Sequence, residues 1–181
     1  MLPASLHQAI ADLLPDRLEF YESWLNPAAM RRGRIGLAAL NAVLSFLRQE
    51  DHAYREVVEQ AGRHAADWTM ASQAAGRGLL MRFCPGGLRR RVAIGVARRT
   101  VRRTFGGSRA VIRLRRGHGT AEIRNSIFCN VRGPAPTPLC GYYAALVARL
   151  FELHRLEARV EPRACRAIGD RSCILDVQVG P

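Results

Sequence analysis

The sequence predicts an α+β fold, in which a helical N-terminal part is followed by a mixed or antiparallel sheet with packed helices. Apolar residues recur at helical spacing through the first half of the chain. Two strand-like runs then meet at Gly117-His118-Gly119, and two more flank Gly169 near the C-terminus. With 181 residues, the chain is long enough to bury a core and short enough to form one domain.

The helical pattern divides the chain into two parts. Leucines recur between Leu37 and Leu47 at i, i+3, i+7 and i+10, which is the spacing of one helix face. Similar patterns predict helices over residues 4–25, 34–48, 53–70, 88–104 and from about 138 onward. We therefore expect a helical region over 1–75 and a sheet-bearing domain over 76–181, together forming one globular unit.

Four short runs carry the strand signal. They are "RAVIRLRR" (109–116), "GTAEIRNSIF" (119–128), "LEARVEPRACRA" (156–167) and "SCILDVQV" (172–179). In the last run, alternate apolar residues from Cys173 to Val179 share one face, as expected for a half-buried strand. The proline-rich loop "RGPAPTP" separates the second run from the helix that starts near Pro138.

The N-terminus and the cysteine count bear on the class of protein. The chain begins without a basic leader, and no run reaches the roughly 18 apolar residues that span a bilayer. We expect a soluble, cytoplasmic protein whose cysteines are reduced thiols or metal ligands. The odd number of five cysteines also argues against a framework made only of disulfides.

Basic charge is concentrated in one stretch of the chain. All 28 basic residues are arginines, and thirteen of them lie between Asp67 and Glu122, where there is no acid. The other fifteen balance the fifteen acids, so the net charge of +13 is local. On the helix over 88–104, this charge fits an ordinary solvated helix face first. The functional hypothesis is a face that docks carboxylates, acidic lipid headgroups or a protein partner; the residues concerned are Arg98, Arg99, Arg102 and Arg103.

Three cysteines and one acid form a candidate metal site. If Gly169 lies at the centre of a turn, Cys165 and Cys173 face each other across a hairpin with Cβ atoms roughly 4.5–5.5 Å apart. This separation is somewhat long for a disulfide and suits two thiolates on one metal. Cys140 is the third candidate because helix N-termini stabilise thiolates, and Glu161 on the first hairpin strand offers the fourth ligand. Three buried cysteines that act as small hydrophobes would fit the same spacing.

Motifs around these cysteines resemble the 4-vinyl reductase domain. They are Cys140-Gly141-Tyr142, the glutamate before Cys165, and the C-x3-G-x3-C frame that ends at Cys173. This family includes bacteriochlorophyll-biosynthesis proteins named for 4-vinyl reductase activity and sensor domains of aromatic-responsive activators. The stretches "PGGLRRRVAIGVARRTVRRTFGGS" and "IRNSIFC" look like the bacteriochlorophyll branch, so the similarity extends over about residues 80–179.

The resemblance implies a fold, a metal and a pocket. The fold would be the one that 4-vinyl reductase domains share with NO-signalling and Golgi-transport ligand-binding domains, and which commonly forms homodimers. By position, the zinc ligands of the sensor relatives correspond to Cys140, Glu161, Cys165 and Cys173. Because Glu161 precedes Cys165 by four positions rather than three, this ligand set requires a bulge near Pro162. The zinc would be structural, since four protein ligands leave no open position.

The implied pocket would lie between the helices and the sheet and take a small hydrophobic molecule. Aromatic residues are the candidates for its lining, although each of them would also fit an ordinary core. They are Trp68, Phe83, Phe105, Phe128, Tyr142 and Tyr143.

Three functions follow as hypotheses. The first is a bacteriochlorophyll 4-vinyl reductase-type protein that binds a chlorophyllide-like tetrapyrrole, as a reductase component or as a carrier or accessory factor for a pathway enzyme. The second is a stand-alone sensor or binding module for a small hydrophobic or aromatic molecule. The third is nucleic-acid binding through the arginine-rich stretch, which fits least because aromatic residues are sparse there and no reading motif occurs.

The sequence carries no motif for the chemistry of a reduction. It has no G-x-G-x-x-G after a strand, no second metal cluster, and no spacing that indicates a Ser/His/Asp or Cys/His pair. The resemblance implies structural zinc, and the sequence itself assigns neither a nucleotide cofactor nor catalytic residues.

Overall fold

Four antiparallel strands form one sheet in this structure, a computed structural model that describes residues 1–50, 52–72, 84–131 and 133–180. The order across the sheet is β1-β2-β4-β3, so β1 and β3 are the edges. The strands are β1 (Arg109–Arg115), β2 (His118–Arg124), β3 (Ala158–Ala164) and β4 (Cys173–Val179).

Helices form the N-terminal part of the structure and also cover one side of the sheet. Short 3₁₀ turns follow several elements, among them Arg48–Glu50, Ile127–Cys129 and Arg166–Ile168. None of the described helices is long and apolar enough to cross a membrane. The helices are α1 (Leu2–Leu13), α2 (Leu18–Glu22), α3 (Pro27–Arg31), α4 (Leu37–Leu47), α5 (His52–Ala71), α6 (Gly86–Thr104) and α7 (Gly141–Leu153).

Side chains alternate across the sheet between a buried and an exposed face. Ile112 on β1, Ala121 on β2 and Leu175 on β4 lie on the inner face, which contacts α6 and α7. The opposite face carries polar residues in register; for example, Arg113 pairs with Thr120, and Asp176 pairs with both Thr120 and Glu161. The sheet is therefore amphipathic, with its core on the helical side.

Helices α5 and α7 join the N-terminal part to the sheet. They cross at Gly62, where an added Cβ would collide with the carbonyl oxygen of Tyr142. An ion pair between Arg149 Nε and Asp67 Oδ1, 2.9 Å apart, links the same helices. The buried core consequently includes residues of both parts. The predicted boundary between 75 and 76 lies outside the described residues and stays a prediction.

The structure confirms the predicted α+β class. Of the two predicted kinds of sheet, mixed or antiparallel, the described strands form the antiparallel one. The helix predicted over residues 4–25, with a break at Pro15, is divided by the 3₁₀ turn Pro15–Arg17 into α1 and α2. Two further predicted elements have different bounds. The second strand ends at Arg124 because Asn125 takes a positive φ of 55°, after which a 3₁₀ turn carries the chain away from the sheet. The helix expected from Pro138 begins at Gly141, with Cys140 as its N-cap residue.

Candidate functional site

Four cysteine sulfurs converge at one end of the sheet, beside the start of α7. All four Sγ atoms lie within 4.8 Å of one another, so they could hold a metal ion. The Sγ of Cys129 lies 3.4 Å from those of Cys140 and Cys165 and 3.3 Å from that of Cys173. Cys140 and Cys165 approach to 3.1 Å. We call Cys129, Cys140, Cys165 and Cys173 the cysteine centre.

Four different elements present these sulfurs. Cys129 ends the 3₁₀ turn after β2, and Cys140 is the N-cap residue of α7. Cys165 follows β3 and begins the 3₁₀ turn Arg166–Ile168, which ends at Gly169 with φ 102°. Cys173 is the first residue of β4. The cysteine centre thus connects both halves of the sheet to α7.

The distances in the cysteine centre fit a tetrahedral metal rather than disulfides. Sulfurs that bind zinc at about 2.3 Å are about 3.8 Å apart, only a few tenths of an ångström more than observed. A disulfide would need about 2.0 Å, and the structure gives all four cysteines as free. The backbone N–H of Leu139 donates to Cys165 Sγ at 3.4 Å, and that of Arg166 donates to Cys173 Sγ at 3.5 Å. Such outer hydrogen bonds orient metal ligands and stabilise thiolates.

The pKa values of the four thiols diverge because the groups share protons. Hydrogen bonding with Cys129 raises the pKa of Cys140 and of Cys173 but lowers the pKa of Cys165. Contact with Cys140 lowers the pKa of Cys129. The four thiols are therefore coupled through their shared hydrogen bonds. A divalent cation would replace these protons and hold all four as thiolates.

Glu161, the predicted fourth ligand, is not part of the cysteine centre. The predicted irregularity is present, because the register of β3 shifts between Pro162 and Ala164. Nevertheless, Glu161 lies on the exposed face of β3, where its Oε1 accepts a hydrogen bond from Arg159 Nε at 2.9 Å. Simple alternation would place Glu161 and Cys165 on the same face, but the register shift between them turns the buried Cys165 to the inner face and leaves Glu161 beside Asp176 on the outer one. Cys129, which sequence reasoning missed, provides the fourth sulfur.

Two residues of the N-terminal part hold the backbone just before two of these cysteines. Arg48 Nη2 donates to the carbonyl of Phe128 at 3.3 Å, and Tyr54 Oη donates to the carbonyl of Leu139 at 3.4 Å. Burial raises the pKa of Tyr54, and the nearby Arg48 charge opposes this rise. Arg48 Nε is buried without a hydrogen-bond partner among the described residues. Its charge fits a centre that carries excess negative charge when four thiolates bind a divalent cation.

Three of the predicted pocket residues pack against one another in the core. We call Phe128, Tyr142 and Tyr143 the aromatic cluster. All three are fully buried, with ring centroids 4.9 Å apart for Phe128–Tyr142, 5.5 Å for Phe128–Tyr143 and 5.4 Å for Tyr142–Tyr143. These are contact distances for aromatic pairs and leave no space for another ring. Phe105, the C-cap residue of α6, packs partly buried against the core, and Phe83 lies outside the described residues.

The predicted arginine face of α6 is divided between two surfaces. Arg98 donates to the carbonyl of Ile112 and so attaches α6 to the edge strand β1. Arg102 is exposed. Arg99 and Arg103 instead line a cavity of about 670 Å³ together with the predicted pocket residue Trp68. We call this cavity the α5–α6 groove; the lining residues that matter here are Trp68, Val92, Gly95, Val96, Arg99 and Arg103.

Comparisons with known proteins support the fold. A scan against protein-family models and a search of curated proteins each found no match. The phenol-responsive sensory domain of the transcription activator PoxR, solved with phenol, is similar in structure, with a TM-score of 0.53, 16% identity, and coverage of 80% of this chain and 74% of that domain. A trafficking protein particle complex subunit 3 from Naegleria fowleri, covalently bound to palmitic acid, has a TM-score of 0.49, 14% identity and coverage of 90% and 92%. The chain therefore has the 4-vinyl reductase-like fold that the sequence resemblance implies.

Proposed function

We propose that this chain is a small-molecule-binding domain whose fold is closed by a structural zinc in the cysteine centre. The convergence of four sulfurs within 4.8 Å carries the zinc assignment, because a tetrahedral set of four thiolates is typical of zinc. The fold supports the binding function, since the similar PoxR domain is phenol-responsive. Zinc in four protein ligands binds no substrate, so its role is to fix α7 against β3 and β4.

For the ligand, we propose a chlorophyllide-like tetrapyrrole, as the sequence resemblance to the bacteriochlorophyll 4-vinyl reductase branch suggests. A flat apolar ring with a propionate suits a surface that offers aromatic and guanidinium groups. The chain would act as a carrier or accessory factor, or as the binding component of a reductase whose electrons come from another protein.

Elemental analysis of protein purified under reducing conditions tests the metal. We expect about one zinc per chain. Four thiolates also suit iron, which would be visible as a thiolate charge-transfer band. Finding iron would support a metal in the cysteine centre but overturn the assignment of that metal as zinc. Absence of any stoichiometric metal would overturn the centre itself.

Titration of divinyl chlorophyllide, followed by absorbance with and without a reductant, tests the ligand. We expect a saturable shift of the pigment bands without reductant, which indicates binding. Loss of the vinyl-group signature only when a reductant is present would identify a reductase component, whereas an unchanged bound pigment would identify a carrier. No shift in either condition would remove the tetrapyrrole proposal.

A sensor of small aromatic molecules is the second candidate, and the likeness to the phenol-responsive domain favours it. Native mass spectrometry of protein isolated from its own host distinguishes the two. An added mass of a small aromatic would support the sensor, and one of a tetrapyrrole would support the pigment protein.

A further inference from the structure

A glycine in the middle of α6 has no explanation in the packing of the described residues. Glycine inside a helix costs about 0.5–1 kcal/mol relative to alanine. At Gly62 in α5 the close approach of α7 explains this cost, but a Cβ at Gly95 would meet no atom within 4 Å. Gly95 lies in the floor of the α5–α6 groove, with Val92 and Val96 beside it. A close approach by a bound molecule would account for the glycine.

An aromatic ring forms one wall of the same groove. Trp68 stacks on His64 with ring centroids 5.8 Å apart, yet 38% of Trp68 is exposed. Tryptophan supplies a large flat contact area and is enriched at binding hot spots. Trp68 and the valine-lined floor therefore suit a flat apolar body.

The free polar groups of the groove are cationic. Arg99 and Arg103 lie one turn apart on α6, a spacing at which like charges repel. Within the described part of the chain, neither guanidinium has a carboxylate partner, and the sequence has no acid between Asp67 and Glu122. The hydroxyls of Thr69, Ser72 and Thr100 donate to backbone carbonyls, so the two guanidiniums are the charged side-chain donors of the described lining that can bind an anion. An anion between them would relieve the repulsion.

We infer that the α5–α6 groove binds a small molecule with a flat apolar body and one or two carboxylates. The body lies against Trp68 and over Gly95, and the carboxylates accept hydrogen bonds from Arg99 and Arg103. A cavity of about 670 Å³ has the size of a site for one such molecule, and its concave shape suits this better than a planar lipid surface. The inference rests on the proposed small-molecule-binding function and adds the position and charge of the ligand.

Protoporphyrin IX is the probe because it combines a flat apolar ring with two neighbouring propionates. The chain has two tryptophans, so Trp24→Phe leaves Trp68 as the only reporter of fluorescence. We expect saturable quenching of Trp68 at one porphyrin per zinc-loaded chain. In the same background, Arg99→Gln with Arg103→Gln should weaken binding at least about tenfold, because each hydrogen bond between charged groups contributes about 1.5–3 kcal/mol. The dimethyl ester of the porphyrin should bind the parent protein as weakly as the acid binds this variant.

Two further variants separate the groove from general charge and folding effects. Arg102→Gln removes one arginine charge from the same helix outside the groove lining and should leave the affinity unchanged. Gly95→Leu should block the groove, while the helix gains stability because the position is open. A retained or raised Tm together with lost quenching would show that the groove, not the fold, was affected.

The outcomes distinguish this inference from the proposed function. If Gly95→Leu and the double arginine variant bind the porphyrin with unchanged affinity, the ligand binds elsewhere and the inference is overturned. The proposed small-molecule-binding function would still stand. Binding only to anionic vesicles, with none to the soluble probe, would also overturn it and identify a lipid surface as the partner. No binding of the acid or of the ester by zinc-loaded protein would count against both.

Discussion

The cysteine centre and the aromatic cluster are neighbours that share two chain segments, yet they differ in whether the space between their side chains can hold an ion. Phe128 precedes Cys129, and Tyr142 and Tyr143 follow Cys140 on the first turn of α7. The four sulfurs stand 3.1–3.4 Å apart in their described contacts and can surround a cation. The three rings touch each other and surround nothing.

This difference indicates how the two clusters depend on each other. Phe128 adjoins Cys129, and Tyr142 and Tyr143 lie two and three residues after Cys140, so fixing these two cysteines also restricts the positions of the rings. A metal that holds Cys129 and Cys140 would therefore order the packing of Phe128, Tyr142 and Tyr143. We interpret the cysteine centre as the clamp and the aromatic cluster as packing that the clamp stabilises.

The largest expected effect comes from removing the fourth sulfur. Cys129→Ser should reduce bound zinc from about one per chain to a small fraction and lower stability by several kcal/mol, because metal-binding free energy is folding free energy in such sites. Glu161→Gln should leave both unchanged, since this carboxylate pairs with Arg159 on the exposed face. Elemental analysis and thermal unfolding measure the two effects.

Cys84→Ser is the matched control, because Cys84 lies outside the cysteine centre. It should retain zinc. Zinc retained by Cys129→Ser but lost by Glu161→Gln would restore the ligand set that the sequence resemblance implied.

A smaller effect is expected at the two side chains that reach the cysteine centre from the N-terminal part. Arg48→Met removes a half-buried charge and the hydrogen bond to Phe128, and Tyr54→Phe removes the hydrogen bond to Leu139. Each should lower zinc affinity about 10–100-fold, as the loss of outer partners of metal ligands does. Competition with a chelator measures the change, and Arg48→Lys should recover part of it because the charge is kept.

Arg55→Met, on α5, provides a control for the Arg48 and Tyr54 variants. Arg55 pairs with Glu59 on its own helix and should not affect zinc affinity. Equal affinities for Arg48→Met and the parent protein would mean that the N-terminal helices support the centre by packing alone.

The sequence predicted the parts of the molecule that have a local signature. Helical spacing predicted α5 to within one residue at each end and α4 to within three, and the C-x3-G-x3-C frame identified Cys165 and Cys173. Cys129 was missed because Asn125, with its positive φ, turns the chain out of β2 and brings this cysteine to the others, an effect that spacing does not reveal. A search for all cysteines near the helix start would have found it eleven positions before Cys140.

Whether a predicted pocket residue lies in the core or at the surface depends on its burial, which the composition of the chain does not determine. Tyr142 and Trp68 were both predicted pocket residues, but the first is fully buried and the second is 38% exposed beside two arginines. Core and pocket use the same apolar residue types, so only the tertiary contacts separate them. For the same reason, the sequence does not show which arginines of α6 contact the edge strand β1 and which line the α5–α6 groove.

The smallest expected effect tests the aromatic cluster through its two hydroxyls. Burial raises the pKa of Tyr142 to about 12, and its hydroxyl has no hydrogen-bond partner among the described residues. The hydroxyls of Ser5 and Thr104, which are close enough to affect that pKa, donate instead to the carbonyls of Leu2 and Thr100. Tyr142→Phe should therefore be neutral or stabilise the protein by up to about 1 kcal/mol, because it removes a buried polar group without a partner.

Tyr143→Phe is the matched comparison in the neighbouring ring. The hydroxyl of Tyr143 lies 3.3 Å from Ser108 Oγ, so its loss should cost about 0.5–1.5 kcal/mol in the free energy of unfolding by denaturant. Zinc content should be unchanged in both variants if the metal orders the aromatic cluster and the cluster does not contribute to metal binding. A Tyr142→Phe variant that is less stable than Tyr143→Phe would mean that the Tyr142 hydroxyl has a partner in solution, and that the middle of the aromatic cluster is not closed.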